Sequence, residues 1–493
     1  LGKNWLFLVS LLWLFIYSFF MRFSSNRIPF ALLFLILLFA AYLRLFAVAD
    51  APFWIDESIS SIVSKNILEK GLPIFDSGTF YGRAIVFHYS QAFSMLVFGI
   101  NDFGARFPSV LFGLFTMILA FLFAREFFKK DPQRDYLALL PAIIFSIFFL
   151  EIFFSRQARF YQLFQLAFFS TIYFVYKSKE KNNYSYFAVL SFLIAIDTQI
   201  AGIILAPIAF ANLFLTKYKL DKEKLTKKTN ILSGIIVVLV SLYYLGSVFN
   251  VSTGSAELVT NYASNYLDFF PNMNFVLVLG AFGLIWAFLK EKEKTLFLVV
   301  PSIVLLALVV FVELFAFRYV YPVTFAIVFF FSLFLCFLIQ KFGKMFIFVA
   351  LLILLVPSNL FFPLNYVTVI NPISGAFNDY SAPIIDLKNI QLELKQEMLN
   401  SKIVSLFPAS LEWYIKKPDF VIPYSMDGRT KKTSEKEVYS GAPYISTPPQ
   451  RPYYFVKDYF SASKIININE ALAFESGCDK KYSDTSLEIY YCN

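Results

Sequence analysis

The chain has 493 residues, of which 58% are hydrophobic and 20% aromatic, an apolar share above the ~45–50% of soluble globular domains, and this excludes a soluble globular protein. Its net charge of +9 does not point to nucleic acid, because the basic residues sit in short connections between apolar runs rather than on one face. With a single histidine in the whole chain, a multi-histidine metal site is excluded as well.

Apolar runs long enough to cross a bilayer, about 20 residues each, recur in chain order near 5–21, 28–49, 90–124, 137–154, 160–176, 185–198, 200–215, 230–249, 274–289, 295–314, 319–340 and 345–363. The first resembles a signal sequence but lacks a small-residue cleavage site, so it reads as an extra span with its N-terminus outside. Eleven spans then follow. The run 90–124 is too long for one crossing, and its early part, with Phe98-Gly99-Ile100-Asn101-Asp102, reads as a loop or interfacial stretch. The first outer loop therefore covers about 50–105.

Basic residues occupy alternate connections: Arg22 and Arg27; Arg125, Lys129, Lys130 and Arg134; Lys177, Lys179 and Lys181; the run 217–228; Lys290, Lys292 and Lys294; Lys341 and Lys344. Placed on the cytoplasmic side by the positive-inside rule, they put outside the loop from Asp50, the turn around Ser155, the loop near Gln199, the loop 250–273, the turn 313–318 and the tail after 363. Residues 1–364 then form a membrane domain and 365–493 an extracytoplasmic one.

The tail reads as a small α/β domain, with strands at 402–407, 420–422, 453–456 and 487–491 and helices at 409–415 and 468–475. The stretch 426–452, rich in Gly, Lys, Thr and Pro, reads as a mobile loop. Cys336 lies in an apolar span as a packed small side chain, whereas Cys478 and Cys492 both fall in the outside tail, where a disulfide persists.

Four charged clusters fall at span ends on the outer side. The first is Trp54-Ile55-Asp56-Glu57; carboxylates beside a bilayer are costly and mark pathways, relays or catalytic sites, although acidic residues also suit a helix first turn. The second is Asp102-Phe103-Gly104-Ala105-Arg106-Phe107-Pro108-Ser109. The third joins Glu151 to Ser155-Arg156-Gln157-Ala158-Arg159-Phe160-Tyr161. The fourth follows Glu313 with Phe317-Arg318-Tyr319-Val320-Tyr321-Pro322. Each arginine alone would be explained by snorkelling to lipid phosphates. Gathered on one side, arginines can hold an anionic phosphate by forked hydrogen bonds. Tyr81, Arg83, His88, Tyr161, Tyr319 and Tyr321 are further candidates for substrate contact.

The order of these motifs resembles that of the polytopic GT-C glycosyltransferases, in particular the protein mannosyltransferase and aminoarabinose (lipid A) transferase group. Trp54-Ile55-Asp56-Glu57, then Phe98-Gly99 with Arg106 through Gly113, then the Ser155–Tyr161 motif, then Arg318-Tyr319-Val320-Tyr321-Pro322 carry the resemblance over about residues 28–365. It departs at Val86-Phe87-His88-Tyr89-Ser90, where relatives often have Pro-Pro-Leu, and at Gln199, near which several have a histidine.

The resemblance implies an enzyme of the cytoplasmic membrane that transfers a sugar, with inversion, from a polyprenyl-phosphate-linked donor to a protein, lipid or glycan acceptor on the extracytoplasmic face. It implies Asp56 as catalytic base, with Glu57 and Glu151 as acidic partners. Arg106, Arg156, Arg159 and Arg318 would bind the donor phosphate. No cofactor is required, while a divalent metal stays open under a second reading, an oligosaccharide transferase with a pyrophosphate-linked donor. A transporter or flippase for a lipid-linked sugar would instead place charges at the bilayer midplane and show internal repeats.

Overall fold

The computed structural model describes residues 28–216, 219–221, 224, 226–252, 274–310, 317–343, 384–423, 436–462 and 468–493. The runs expected as spans at 5–21 and 345–363, Glu313, and the aromatic residues Tyr262, Tyr266, Phe269 and Phe270 lie outside the described residues.

The first apolar run forms α1 (Ile28–Leu45), whose one charge, Arg44, is buried against the carbonyls of Ala40, Phe145 and Ser146. Next comes α2 (Ile55–Lys70), a polar helix that is nevertheless buried along most of its length. Four of its buried residues are serines, Ser58, Ser60, Ser61 and Ser64, and such small side chains let neighbouring backbones approach closely. It stops at Gly71, whose φ of +79° suits a glycine and whose N–H closes on the Ile67 carbonyl.

The run expected as one span with a leading loop is two helices, α3 (Ile85–Phe98) and α4 (Asp102–Phe127). Only Gly99 to Asn101 separates them, and the Asn101 side chain caps α4 by accepting from Gly104 N at 2.9 Å. The expected loop at about 50–105 is thus mostly helical, because α2 and α3 pack on each other as well as on the bundle. With 26 residues, α4 extends for ~39 Å, enough to cross the hydrocarbon.

The run at 137–154 is broken at Phe148 into α5 (Leu139–Ile147) and α6 (Phe149–Ser155), which meet at 62°. There follow α7 (Tyr161–Lys177), α8 (Tyr184–Thr198), α9 (Ala206–Phe214), α10 (Lys228–Ser252), α11 (Asn274–Lys290), α12 (Lys292–Val310) and α13 (Thr324–Phe342). Among the described residues, four helices are long and apolar enough to cross a membrane, or five if the bent pair is one span, and shorter apolar helices pack between them. The chain is a multi-pass membrane protein. Aromatic packing binds the bundle: Phe325 of α13 stacks on Phe169 of α7 at 4.2 Å and meets Phe145 and Phe123 edge-on. A Cβ at Gly283 of α11 would lie 1.9 Å from the Phe330 carbonyl oxygen, so α11 and α13 touch backbone to backbone, as small residues allow in membrane bundles.

Beyond the bundle lies a five-stranded mixed sheet. Its strands are β1 (Ile403–Ser405), β2 (Phe420–Val421), β3 (Tyr453–Asp458), β4 (Asp479–Ser483) and β5 (Leu487–Cys492), in the order β2-β1-β3-β5-β4. β1 runs parallel to β2 and β3, while β5 is antiparallel to β3 and β4. Helices α14 (Leu392–Leu399), α15 (Pro408–Tyr414) and α16 (Ile468–Glu475) complete it. Neither α14 nor β4 is apparent in the sequence, since both are short and strongly charged. Cys478 and Cys492 form a disulfide, and Cys336 is buried.

One hydrophobic core joins the two parts. Ile55, Ile59, Ile62 and Val63 of α2 pack with Ile385, Leu394, Phe407, Leu411 and Ile489 of the tail. A bridge pairs Trp54 with Ile384, so α2 is held between the bundle and the sheet.

Candidate active site

Residues 48–57 turn the chain from α1 into α2 and place two adjacent carboxylates in the first turn of α2. Successive helical residues point about 100° apart, so Asp56 and Glu57 face different neighbours.

Glu57 faces inward. Its two oxygens take Arg106 Nε and Nη2, each at 2.8 Å, and it also accepts Ala158 N at 2.6 Å and Trp54 N at 3.3 Å. The remaining Arg106 donors go to the carbonyls of Val48, Ala51 and Pro52, and the guanidinium stacks on Phe53 at 4.7 Å. Both side chains are buried. Arg106 thus has no donor left for a phosphate and Glu57 no lone pair free for a proton; the phosphate-binding and catalytic roles implied for them are corrected to a closed structural pair.

Asp56 faces the opposite way, toward the mouth of the bundle. Its Oδ2 lies 3.5 Å from Arg159 Nη2, 3.9 Å from Arg318 Nη2 and 3.5 Å from the Tyr161 hydroxyl. These distances are long for charge-assisted hydrogen bonds. Arg159 is anchored by Nη1 to the Asp56 carbonyl at 3.1 Å and to Ser60 Oγ at 2.6 Å, and it lies over Phe160 at 4.4 Å. Arg318 stacks over Trp54 and Tyr319. The Nε atoms of both arginines are buried without a hydrogen-bond partner. Two guanidiniums therefore share one carboxylate and keep donors unspent, which makes an anion-accepting pocket. Arg83, exposed, adds a third guanidinium 4.7 Å over the other contact of this group, Phe160.

The other expected site residues lie elsewhere. Arg156 binds the carbonyls of Leu43, Arg44, Phe46 and Ala47, capping the end of α1 where Ala47 has φ +52°; this corrects its implied role at phosphate. Glu151 is fully buried and takes Gln165, the Tyr321 hydroxyl at 2.9 Å and Thr324. Tyr321 also bonds Gln162 and Gln165 and stacks on Phe154 at 4.0 Å. Both are members of a buried polar network inside the bundle, in which the single Tyr321 hydroxyl proton is shared among Glu151, Gln162 and Gln165. His88 is buried too: its Nδ1 meets Ser64 Oγ at 3.1 Å, while Nε2 has no partner. Ser64 lies one turn beyond the Ser60 that holds Arg159. Asp197, beside the position where the resemblance departs, caps α3 by accepting from Ile85 N and Val86 N.

Three residues not singled out in the sequence bind the tail to this mouth. Asp102 accepts Lys388 Nζ at 2.7 Å, Trp413 Nε1 at 2.9 Å and the Tyr414 hydroxyl at 3.2 Å. The same Tyr414 oxygen accepts Phe53 N at 2.7 Å. These partners lie some three hundred positions from Asp102 and Phe53, so no local pattern announces them. Among the described residues no group of three or more His, Cys, Asp or Glu side chains gathers for a metal ion.

Residues 82–245 match the family described as dolichyl-phosphate-mannose-protein mannosyltransferase. No curated protein matches the sequence. Among solved structures, apo ArnT from Cupriavidus metallidurans is similar with a TM-score of 0.60 at 12% identity, covering 93% of this chain and 97% of that one. The same protein bound to undecaprenyl phosphate gives 0.58 at 12% identity, over 95% and 98%. The apo oligosaccharyltransferase of Archaeoglobus fulgidus gives 0.54 at 12% identity, over 94% of this chain and 74% of that one. The resemblance drawn from the motifs is borne out: this chain has the GT-C fold of these membrane glycosyltransferases.

Proposed function

We propose that the protein is a membrane glycosyltransferase that moves a sugar from a polyprenyl-phosphate carrier to an acceptor on the extracytoplasmic face. The observation that carries this reading is the pairing of Arg159 and Arg318 on Asp56 at 3.5 and 3.9 Å, with both Nε atoms unspent. A lipid-linked phosphate entering beside Asp56 would meet two forked cations. The undecaprenyl phosphate bound by the structurally similar ArnT supports a polyprenyl carrier.

The chemistry follows from these positions. Asp56 takes the proton of the acceptor hydroxyl as its oxygen attacks the anomeric carbon. The bond from that carbon to the phosphate oxygen breaks on the opposite face, and the carrier phosphate leaves with the electron pair. Arg159 and Arg318 stabilise the charge that gathers on it. Attack opposite the leaving group inverts the anomeric configuration.

The oligosaccharyltransferase likeness raises the question of a divalent metal. The described residues around Asp56 do not fit one: its neighbours are guanidiniums, which repel a cation, and among the described residues no group of three or more His, Cys, Asp or Glu side chains gathers. No step is therefore routed through a metal. The basic connections support the proposed orientation by the positive-inside rule; among them Lys177 pairs with Glu126 at 2.8 Å and Arg125 with Asp135 at 2.6 Å.

The test is transfer by the purified protein in lipid nanodiscs from labelled polyprenyl-phosphate sugars. Transfer by wild type and its loss in Asp56→Asn is the expected result. Full transfer by Asp56→Asn would remove Asp56 as the base, and movement of the lipid-linked sugar across the bilayer without transfer would replace the enzyme by a flippase.

A further inference from the structure

The tail residues 436–444 form a turn docked on the segment between α2 and α3. Lys436 pairs with Pro443, Glu437 N donates to the Ala442 carbonyl and Gly441 N to the Glu437 carbonyl, both at 2.8 Å. The buried Glu437 carboxylate fixes the tip by accepting Tyr439 N at 3.0 Å, Ser440 N at 2.6 Å and Ser440 Oγ at 2.8 Å. Ser77 then clamps the turn, its N–H to the Tyr439 carbonyl at 3.2 Å and its hydroxyl to the Val438 carbonyl. Gly441, at φ +68°, leaves no space for a side chain, because a Cβ would stand 2.8 Å from Ser77 Cα. A turn so thoroughly fixed holds one side chain at a defined place, and that side chain is Tyr439.

Tyr439 meets Phe75 edge-on at 5.0 Å, and Tyr81 meets the same ring edge-on at 5.3 Å. Phe75 is buried and serves as a post for both. Tyr81 in turn meets His88 at 5.3 Å, and His88, Ser64 and Ser60 lead to Arg159 and Asp56. Burial raises the Tyr439 phenol above its usual range, followed by Glu437, Asp56 and Tyr81, with Arg159 opposing; Asp56 and Arg159 are thus within its electrostatic reach. Tyr439 and Tyr81 are both only partly buried.

We infer that Tyr439, supplied by the tail domain, and Tyr81, supplied by the membrane domain, form a platform beside Asp56 on which a pyranose ring of the substrate stacks. The inference rests on the proposed transferase function. Flat phenol rings cover the apolar C–H face of a sugar while their hydroxyls bond its rim, and the contacts from Tyr81 through His88, Ser64 and Ser60 to Arg159 join the platform to the proposed phosphate site. The platform recognises sugar and not phosphate.

The experiment measures binding of undecaprenyl phosphate and of undecaprenyl-phosphoryl mannose, glucose and 4-amino-4-deoxyarabinose to wild type, Tyr439→Leu and Tyr439→Phe in nanodiscs. Leucine keeps an apolar contact with Phe75, and phenylalanine keeps the stacking face. Wild type should bind at least one sugar-bearing lipid about three- to tenfold tighter than the bare carrier. A preference lost in Tyr439→Leu, largely kept in Tyr439→Phe and accompanied by unchanged bare-carrier affinity places the donor sugar on the platform. If instead methyl glycosides of the same sugars bind to protein saturated with sugar-bearing lipid, and Tyr439→Leu abolishes this, the platform holds the acceptor.

Absence of either sugar-dependent binding in wild type, its survival in Tyr439→Leu, or equal weakening of the bare carrier overturns the inference. Arg318→Ala separates it from the reading on which it rests: bare-carrier affinity unaffected by that change sinks the phosphate site, whereas a large loss with no effect of Tyr439→Leu sinks the platform alone.

Discussion

Asp56 and Glu57 are chain neighbours of the same chemical class, yet they do opposite work. Glu57 and Arg106 close on each other with two bonds of 2.8 Å and bury both charges; Asp56 meets Arg159 and Arg318 loosely and stays partly open. The buried pair has every partner it needs and holds the turn from α1 into α2. The open group has two guanidiniums on one carboxylate and unspent donors, which is what the proposed phosphate site requires. A carboxylate–arginine contact therefore means structure or chemistry according to whether its hydrogen bonds are saturated.

The sharpest way to break this contrast is to neutralise each carboxylate in turn. Asp56→Asn should lower transfer by about 10²–10⁴-fold, the usual weight of a general base, with a smaller loss of stability than Glu57→Gln, because its ion pairs are longer and partly open. Glu57→Gln should do the reverse first, removing ~3–5 kcal/mol of stability because Arg106 is left as an uncompensated buried charge, measurable by unfolding in detergent. If Glu57→Gln unfolds like wild type while Asp56→Asn unfolds early, the two roles have been assigned the wrong way round.

Arg318→Ala should lower the transfer rate by roughly 10²–10³-fold, as for removal of one transition-state donor, with wild-type thermal unfolding. A smaller effect is expected at the tail contact. Tyr414→Phe removes a donor to Asp102 and strands Phe53 N, and should cost about 1–3 kcal/mol, seen as faster proteolysis between the membrane and tail domains.

The last prediction concerns a third acidic contact, neither closed nor catalytic. Burial, and then the Asp76 charge, push Glu412 from its usual 4.5 up to about 8. A carboxyl raised on folding binds more protons folded than unfolded between those values, so its contribution to stability falls as pH rises from about 4.5 to 8. Burial works to raise Asp76 too, but hydrogen bonds from Lys70 and Asn66 outweigh it and hold Asp76 below its usual range; its stabilising contribution is lost only as pH falls further. Glu412→Gln should flatten the slope between pH 5 and 8 in unfolding measurements.

Much of the architecture is legible in the chain because it is local. Apolar runs mark the helices, short runs rich in aromatic and β-branched residues mark β3 and β5, and two cysteines in the tail admit one disulfide. Asp56 stands out because a carboxylate after a span is rare. What could not be read is direction. Arg106, Arg156 and Arg159 look alike in sequence, but one is spent on Glu57, one on the carbonyls of α1, and one is left for an anion; only tertiary packing decides which. Tyr439 lies in a stretch whose Gly, Lys, Thr and Pro suggest a loop, and its turn is ordered by Ser77 and Glu437 rather than by propensity. The break at Phe148 falls seven residues after the proline of this run, Pro141, which sits inside α5, so no Pro or Gly at the break itself signals it.

The pairing of Trp54 with Ile384 and of Phe53 with Tyr414 also sets an order of events during synthesis. The bundle residues that flank Asp56 emerge early, but the backbone just before it gains its partners only after residue 414 has left the ribosome and docked. The geometry around Asp56 is thus completed only when the tail has been made and has docked.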